Sequence, residues 1–207
     1  MSIPAELHNA VVKRSQGAPR LLVAIAGPPG AGKTTVAEAL YGALSEQAIK
    51  SVVVPMDGFH LDNAELDQRG LRHRKGAPIT FDAAGFVTVI KALRHTEDEV
   101  RVPGFDRAAD RVIPDRYSVT RAHAVVIVEG NYLLLASPPW CELQDLFDIT
   151  VFLNPGINTL ERRLVQRWLD HGHTADAARE RARSNDIPNA HLVVERSTAA
   201  DWVLQNA

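Results

Sequence analysis

Residues 27–35 have the types and spacing needed to bind phosphate groups. Their sequence, GPPGAGKTT, fits the pattern G-x-x-x-x-G-K-[ST]. Glycines let the backbone wrap so that its N–H groups point at phosphate oxygens, while Lys33 would reach the β- and γ-phosphates and the Thr34 hydroxyl would hold Mg²⁺. We therefore expect the triphosphate of ATP to bind the following residues: Gly27, Gly30, Ala31, Gly32, Lys33, Thr34 and Thr35.

The segments on either side of this loop provide the context that the motif requires. Residues 21–26 are continuously apolar, as in a strand that is buried on both faces of a parallel sheet. Residues 36–47 predict a helix, since Val36, Leu40 and Leu44 fall on one side of it. A strand, a glycine-rich turn and a helix in this order place the positive end of the helix next to the phosphates.

Two carboxylates follow predicted buried strands elsewhere in the chain. Asp57 comes directly after a strand at 51–56, and Glu129 after one at 124–128. Because ligands of parallel α/β sheets bind at the carboxyl ends of the strands, we expect both near the triphosphate. Glu129 would hold Mg²⁺ together with Thr34, and Asp57 would accept the proton of an attacking hydroxyl. A hydrolase needs only water there, whereas a kinase needs a carboxylate beside an alcohol, so Asp57 favours a kinase.

Arginines on a late helix are the candidates for stabilising transition-state charge. A helix predicted at 158–170 carries Arg163 and Arg167 four residues apart, and so on one face. Phosphoryl transfer develops charge that an arginine on a closing element can neutralise, so we predict a lid at 158–185 in which at least one of the two is catalytic. A second basic set either is solvated or anchors an anionic substrate: Arg69, Arg72, Arg74 and Lys75.

The order of the predicted elements defines the fold class. Apolar strands alternate with helices, which indicates a three-layer α/β fold of the P-loop NTPase type, with a mainly parallel five-stranded sheet and a helical lid, in one domain over 1–207. The remaining predicted elements are helices at 82–94, 174–184 and 187–196, a helical turn at 143–147, strands at 148–153 and 202–204, and acceptor-side flaps at 58–82, mostly loop, and at 100–117.

Composition excludes several classes of function. The 207 residues carry 23 basic and 25 acidic side chains, a net charge of −2, which gives no footprint for nucleic acid or an anionic membrane. The single Cys141 allows no internal disulfide, and no apolar run indicates a signal peptide or a membrane span. The sequence therefore predicts a cytoplasmic protein with a small-molecule partner, and it leaves a homodimer open. A zinc site at His171 and His173 is not expected, since further ligands at suitable spacing are missing.

Several longer strings resemble the family of uridine kinase, pantothenate kinase and phosphoribulokinase over nearly the whole chain. Residues 57–60 (DGFH) are similar to the family's Asp-(Ser/Gly)-Phe-Tyr loop, which bears the catalytic base. Residues 74–82 (RKGAPITFD) are similar to a stretch of pantothenate kinases, and the closing Asp82 corresponds to a substrate-hydroxyl ligand in uridine kinases. Residues 128–130 look like the Walker B segment, and residues 185–189 (NDIPN) resemble the Asn-x-Pro-Asn turn near the adenine side of pantothenate kinases. The whole string most resembles the bacterial branch of fructose-transport-system kinases, or fructokinase-like proteins.

The chain departs from that family where the acceptor would bind. The Tyr of the first string is His60 here, and Pro-x-Tyr-Ser-His of pantothenate kinases is PGFDR at 103–107. Because arginine is a permanent cation that favours bidentate contact with carboxylate or phosphate, Arg107 suits a small polyol, including an acidic or phosphorylated one, better than a nucleoside or pantothenate. His60 is equally well explained by packing or by contact with the acceptor. The other expected acceptor contacts are Asp82, Phe105, Asp106, Arg107 and Tyr132.

The resemblance implies an ATP-dependent phosphotransferase that uses ATP and Mg²⁺ and phosphorylates a hydroxyl of a sugar or polyol. The alternative within the family is a uridine- or pantothenate-type kinase. Two other classes stay open. One is an NTP hydrolase or switch, although a guanine-specificity motif of the Asn-Lys-x-Asp kind is missing from the sequence. The other is a non-enzymatic nucleotide sensor.

Overall fold

A parallel five-stranded sheet forms the centre of the computed structural model, which describes residues 3–95 and 99–205. The sheet has the strand order β2-β5-β1-β6-β7, and β3 and β4 pair as a separate antiparallel hairpin. All pairings within the sheet are parallel, which confirms the predicted fold class. The strands are β1 (Leu21–Ala26), β2 (Ser51–Pro55), β3 (Val100–Asp106), β4 (Arg111–Val119), β5 (Val125–Gly130), β6 (Ile149–Leu153) and β7 (Trp202–Leu204).

Helices cover both faces of the sheet. They are α1 (Ala5–Ser15), α2 (Lys33–Glu46), α3 (Asn63–Gln68), α4 (Ala83–Leu93), α5 (Ile157–Asp170), α6 (Ala175–Arg181) and α7 (Ile187–Arg196). None of those in the described part of the chain has the length and apolar character to cross a membrane. Short 3-10 turns lie at Met56–Phe59, Arg72–Arg74, Pro78–Thr80 and Trp140–Leu146. The flap at 58–82, which the sequence predicted to be mostly loop, is thus more helical than its polar sequence indicated.

The alternation of side chains along buried strands divides the core into two layers. Every residue of β1 is buried, and successive side chains point to opposite faces. Leu22 and Ala24 pack in a cluster that includes Phe86 of α4, whereas Val23 packs in another that includes Leu40 of α2 and Leu164 of α5. Because both faces bury apolar side chains, the sheet is held between two helical layers.

The predicted helices at 174–184 and 187–196 are joined rather than separate. Gly172, with a φ of +84°, lies between α5 and α6, but α6 continues into a π-helical turn at Ala182–Asp186 and then into α7. The Ile187 N–H donates to the Ala182 carbonyl, five residues earlier. Pro188 follows and has no N–H to donate, so one backbone hydrogen bond is missing where the π-helical turn meets α7.

The β3–β4 hairpin packs against the turn that carries Asp57. A Cβ atom added to Gly58 would lie 2.2 Å from the Pro103 carbonyl oxygen, so only glycine allows this approach of the two backbones. The hairpin has a register shift between Val102 and Gly104, next to the same contact. The position of Asp57 therefore depends on close contact between the turn Met56–Phe59 and β3.

We predict that Gly58→Ala separates these two elements and destabilises the fold by about 1–3 kcal/mol, as overpacking of a tight contact does. Denaturant unfolding measures the change. Gly42→Ala is the matched control, because its added Cβ meets nothing within 4 Å in α2 and should stabilise the protein by about 0.5–1 kcal/mol. Equal stability of the Gly58→Ala variant and the parent would contradict the close packing of the hairpin.

Candidate active site

The loop at 27–35 joins β1 to α2 and has the backbone geometry of an anion site. Gly30 and Gly32 have φ values of +81° and +96°, and α2 begins directly after Gly32. A Cβ at Gly27 would lie 2.7 Å from the Leu153 carbonyl oxygen, so the loop runs close to the end of β6. The free N–H groups of the first turn of α2 lie at the loop and favour a negative ligand.

Lys33 is buried in the loop, where its Nζ donates to the Pro28 carbonyl at 3.0 Å. Burial lowers the pKa of this ammonium to about 8, and the carboxylates of Glu129 and Asp57 oppose that shift. A bound phosphate would add a further negative charge and favour the protonated lysine. The loop thus holds its cation at a place where a phosphate would stabilise it.

Thr34 and Glu129 lie together at the end of the loop. The Thr34 hydroxyl donates to Oε1 of Glu129 at 3.3 Å, and Glu129 is only 6% exposed. Burial raises the pKa of this carboxyl, while nearby Lys33 counteracts the shift. Within residues 3–95 and 99–205 no cluster of three or more His, Cys, Asp or Glu side chains could hold a metal. One hydroxyl and one carboxylate nevertheless suit Mg²⁺, which usually takes only one or two protein carboxylates and completes its shell with phosphates and water.

Asp57 reaches the same place from β2. Pro55 pairs with Glu129 in the parallel register, so the turn that follows β2 lies beside the end of β5. The guanidinium of Arg107, from the hairpin, donates to Oδ2 of Asp57 at 3.0 Å. A cavity of about 390 Å³ opens here. It is lined by Thr34, Pro55, Asp57, Phe105, Asp106, Arg107, Arg116, Tyr117 and Glu129.

His60 packs between two rings and does not line this cavity. Its ring lies 4.1 Å from the ring of Phe81 and 4.7 Å from that of Phe105, measured between centroids. Its Nδ1 lies 2.8 Å from the backbone oxygen of Asp57, and burial lowers its pKa. Of the two explanations that the sequence left open for His60, the structure favours packing.

Tyr132 and Asp82 also do not line the cavity beside Asp57. The predicted acceptor contact of Tyr132 is not available, because its ring is fully buried and its hydroxyl donates to the Gly76 carbonyl at 2.5 Å. Burial raises the pKa of this hydroxyl. Asp82 caps α4 by accepting from the Gly85 N–H, as its position before the helix predicts. It lines a second, larger cavity of about 620 Å³, whose mainly apolar wall includes Trp140.

The second basic set is mostly engaged by nearby carboxylates. These ion pairs join Arg69 to Glu65, Arg72 to Asp67 and Lys75 to Asp110. Arg74 lines the larger cavity, and its Nε is buried without a hydrogen-bond partner in the described part of the chain. Lys75 also lies over the Phe105 ring, at 5.1 Å from the centroid. Ion pairing therefore engages three of the four residues.

The two candidate arginines of α5 differ in how they are held near the phosphate-binding loop. Arg163 donates to the carbonyl oxygens of Gly30 and Ala31 at 3.2 and 3.3 Å, and so contacts the phosphate-binding loop directly. Arg167 pairs with Asp186 at 2.9 Å, and its positive charge contributes to the lowered pKa of Lys33. Both therefore lie near the loop, but only Arg163 touches it.

Asp186 is a residue whose importance the sequence did not reveal. It is buried in the π-helical turn and accepts from the guanidinium of Arg167 and, at 2.6 Å, from the indole N–H of Trp168. Its neighbour Asn185 donates to the Lys75 carbonyl at 2.9 Å, which ties the same turn to the flap. The sequence feature that could have indicated its importance is the spacing of residues 185–189 (NDIPN), which have one residue more than the Asn-x-Pro-Asn turn.

Comparisons with known proteins agree on one family. Residues 22–207 match the model of the phosphoribulokinase/uridine kinase family. A Schizosaccharomyces pombe protein described as a putative uridine kinase is 35% identical, with 97% of this chain and 89% of that protein covered. A pantothenate kinase of Mycolicibacterium smegmatis is 30% identical, but the match covers 75% of this chain and 50% of that enzyme. The crystal structure of a putative fructose transport system kinase from Silicibacter sp. TM1040 is 46% identical, with a TM-score of 0.90 over 96% of this chain and 97% of that one.

We predict that Asp186→Asn loosens the hold on Arg167 and lowers the free energy of unfolding by about 1–2 kcal/mol, because a buried acceptor of two hydrogen bonds loses its charge. Thermal and denaturant unfolding measure the loss. Asp176→Asn is the control, since the ion pair of Asp176 with Arg179 is exposed and such pairs contribute little. If both variants unfold like the parent, Asp186 does not stabilise this arrangement.

Proposed function

The chain belongs to the phosphoribulokinase/uridine kinase family of ATP-dependent small-molecule kinases, and we propose that the hydroxyl it phosphorylates is that of a small sugar or polyol. One observation carries the proposal. The Thr34–Glu129 pair, which suits a metal-bound triphosphate, shares a cavity of about 390 Å³ with the carboxylate of Asp57. A carboxylate at this place can accept the proton of an alcohol that attacks the γ-phosphoryl group.

The residues of the loop would hold the nucleotide. The N–H groups at 27–35 would bind phosphate oxygens, and Lys33 would contact the transferring group. Thr34 and Glu129 would hold Mg²⁺, which when bound supplies positive charge to the β- and γ-phosphate oxygens. The protein's own contribution is a buried, fixed set of donors, because such groups need little rearrangement as charge develops.

Acceptor binding would fall to the residues that face Asp57 across the small cavity. Phe105, Asp106 and Arg107 are contributed by the hairpin. The charged and hydroxyl-bearing wall can donate to and accept from several hydroxyl groups, and the size of the cavity suits a molecule of a few carbon atoms. The fructose transport system kinase, at 46% identity, supports an acceptor of this kind.

The helical segment at 158–185 would act as a lid within a single kinase domain, with flaps at 58–82 and 100–117. Arg163 already contacts the loop, and Arg167 is held by Asp186 close to Lys33. Closure of α5 would bring one of them to the γ-phosphoryl oxygens, where an arginine is worth several powers of ten in rate in related chemistry.

A uridine- or pantothenate-type acceptor is the second candidate, and the larger cavity favours it. That cavity, of about 620 Å³, contains Asp82 and the apolar surfaces of Trp140 and Leu192, which suit a bulkier molecule. Phe81 lines it and Phe105 lines the smaller one, with His60 stacked between the two rings. An acceptor in the larger cavity would reach Asp57 only if this stack moved.

We predict that Asp57→Asn lowers acceptor-dependent ATP consumption by about 10²- to 10⁴-fold, the usual effect of removing a general base, and leaves ATP affinity within a few-fold. Steady-state turnover and nucleotide titration measure the two quantities. Lys33→Ala is the companion variant and should weaken ATP binding itself.

The acceptor panel for this experiment contains sugars, sugar acids, nucleosides and pantothenate. ATP hydrolysis that none of them accelerates would favour a hydrolase, and tight ATP binding without turnover would favour a sensor. A collapse of ATP affinity in the Asp57→Asn variant would make Asp57 a metal ligand or a structural group instead of a base.

A further inference from the structure

We propose that the acceptor is an anionic polyol, and that its carboxylate or phosphate group draws Arg107 away from Asp57. The proposal rests on the function proposed above, because it takes Asp57 as the base and the small cavity as the acceptor site. It adds the chemical class of the acceptor and the residue that selects it.

Arg107 engages one of the two carboxylate oxygens of the proposed base. Its guanidinium donates to Oδ2 of Asp57 at 3.0 Å, so that oxygen is already engaged by a positive charge. While the guanidinium donates to Oδ2, it takes a position from which an acceptor hydroxyl could donate to that oxygen. The arrangement in the structure therefore keeps Oδ2 of Asp57 engaged until Arg107 moves.

Moving Arg107 costs little, provided that it finds another anion. Its side chain is 74% exposed and that of Asp57 28%, and exposed ion pairs of this kind contribute only about 0–1 kcal/mol. A carboxylate or phosphate on the acceptor would offer the guanidinium a bidentate, charge-assisted contact. A neutral sugar offers no such exchange, so Arg107 would stay on Asp57.

A second arginine is available to the same ligand. Arg116 of β4 lines the cavity, and among the described residues it forms no ion pair, only a contact over the Tyr117 ring at 5.9 Å. Its side chain crosses β3 at Gly104, where an added Cβ would lie 2.2 Å from the Cδ of Arg116. Because Gly104 has no side chain, Arg116 has room to pass across β3 at this point.

Among the described residues, the other two carboxylates of the cavity accept no hydrogen bond from these two arginines. Asp106 accepts from the backbone N–H groups of Ala108 and Ala109, both at 3.0 Å, and Glu129 faces Thr34. Once Arg107 leaves Asp57, the hairpin side of the cavity holds two guanidinium groups. An acceptor with a hydroxyl group at one end and a negative charge at the other would place the hydroxyl at Asp57 and the charge at the two guanidinium groups.

The test compares acceptors of equal carbon number that differ in charge. The three-carbon set is glycerol, glycerate and glycerol 3-phosphate, and the six-carbon set is sorbitol, gluconate and sorbitol 6-phosphate. We expect an anionic member of at least one set to exceed its neutral counterpart in kcat/KM by about tenfold or more, the effect of one charge-assisted contact. A higher kcat/KM for glycerate and gluconate would identify the anionic group as a carboxylate, and a higher kcat/KM for the two phosphates would identify it as a phosphate.

Arg107→Gln should remove this preference: the ratio of kcat/KM for the anionic acceptor to kcat/KM for its neutral counterpart should fall about tenfold or more. Arg101→Gln is the matched control, because Arg101 lies on the same hairpin, pairs with Glu99 and does not line the cavity. It should keep the preference of the parent. Thermal unfolding of both variants confirms that they are folded, as expected for exposed side chains.

Two results would overturn the proposal and leave the sugar or polyol kinase intact. One is a neutral acceptor that is used as well as the anionic ones, and the other is an equal effect of Arg107→Gln on both. If no member of either set accelerates ATP consumption, but uridine does, the proposed function fails together with this inference.

Discussion

The parallel register of β1, β5 and β2 determines where each reactive group lies. Glu129 of β5 pairs with Ile25 of β1 on one side and with Pro55 of β2 on the other. The phosphate-binding loop begins just after Ile25, and Asp57 follows two residues after Pro55. A slip of one residue in either pairing would turn the side chains of the shifted strand to the opposite face. Such a slip in β5 would turn the Glu129 carboxylate away from the Thr34 hydroxyl.

The same site combines two charges that burial disfavours. The ammonium of Lys33 has its pKa lowered to about 8 by desolvation, and the carboxyl of Glu129 has its pKa raised for the same reason. Each opposes the shift of the other, so the pair is only partly compensated in the protein alone. A triphosphate with a bound cation would bring charges of both signs to these groups. Binding would therefore gain from charge compensation as well as from the contacts of the loop.

The sequence predicted those parts of the site that depend on local order along the chain. Lys33, Thr34, Asp57 and Glu129 follow or begin elements whose apolar patterns were clear, and the topology brings their strand ends together. Tyr132 could not be placed in this way, because whether a residue beyond a strand points into a cavity or into the core depends on its neighbours. Asp186 was missed for a different reason. Its partners lie 18 and 19 residues earlier, and no periodicity links them.

One extra residue in the π-helical turn at Ala182–Asp186 sets how the chain before α7 is rotated about the helix axis. A helix advances by about 100° for each residue, so a chain with the shorter Asn-x-Pro-Asn spacing would turn everything before α7 by about that angle. Asp186 would then face away from α5, and Asn185 from Lys75. The extra residue in NDIPN thus sets the rotation that lets Asp186 contact Arg167 of α5 and Asn185 contact Lys75 of the acceptor-side flap.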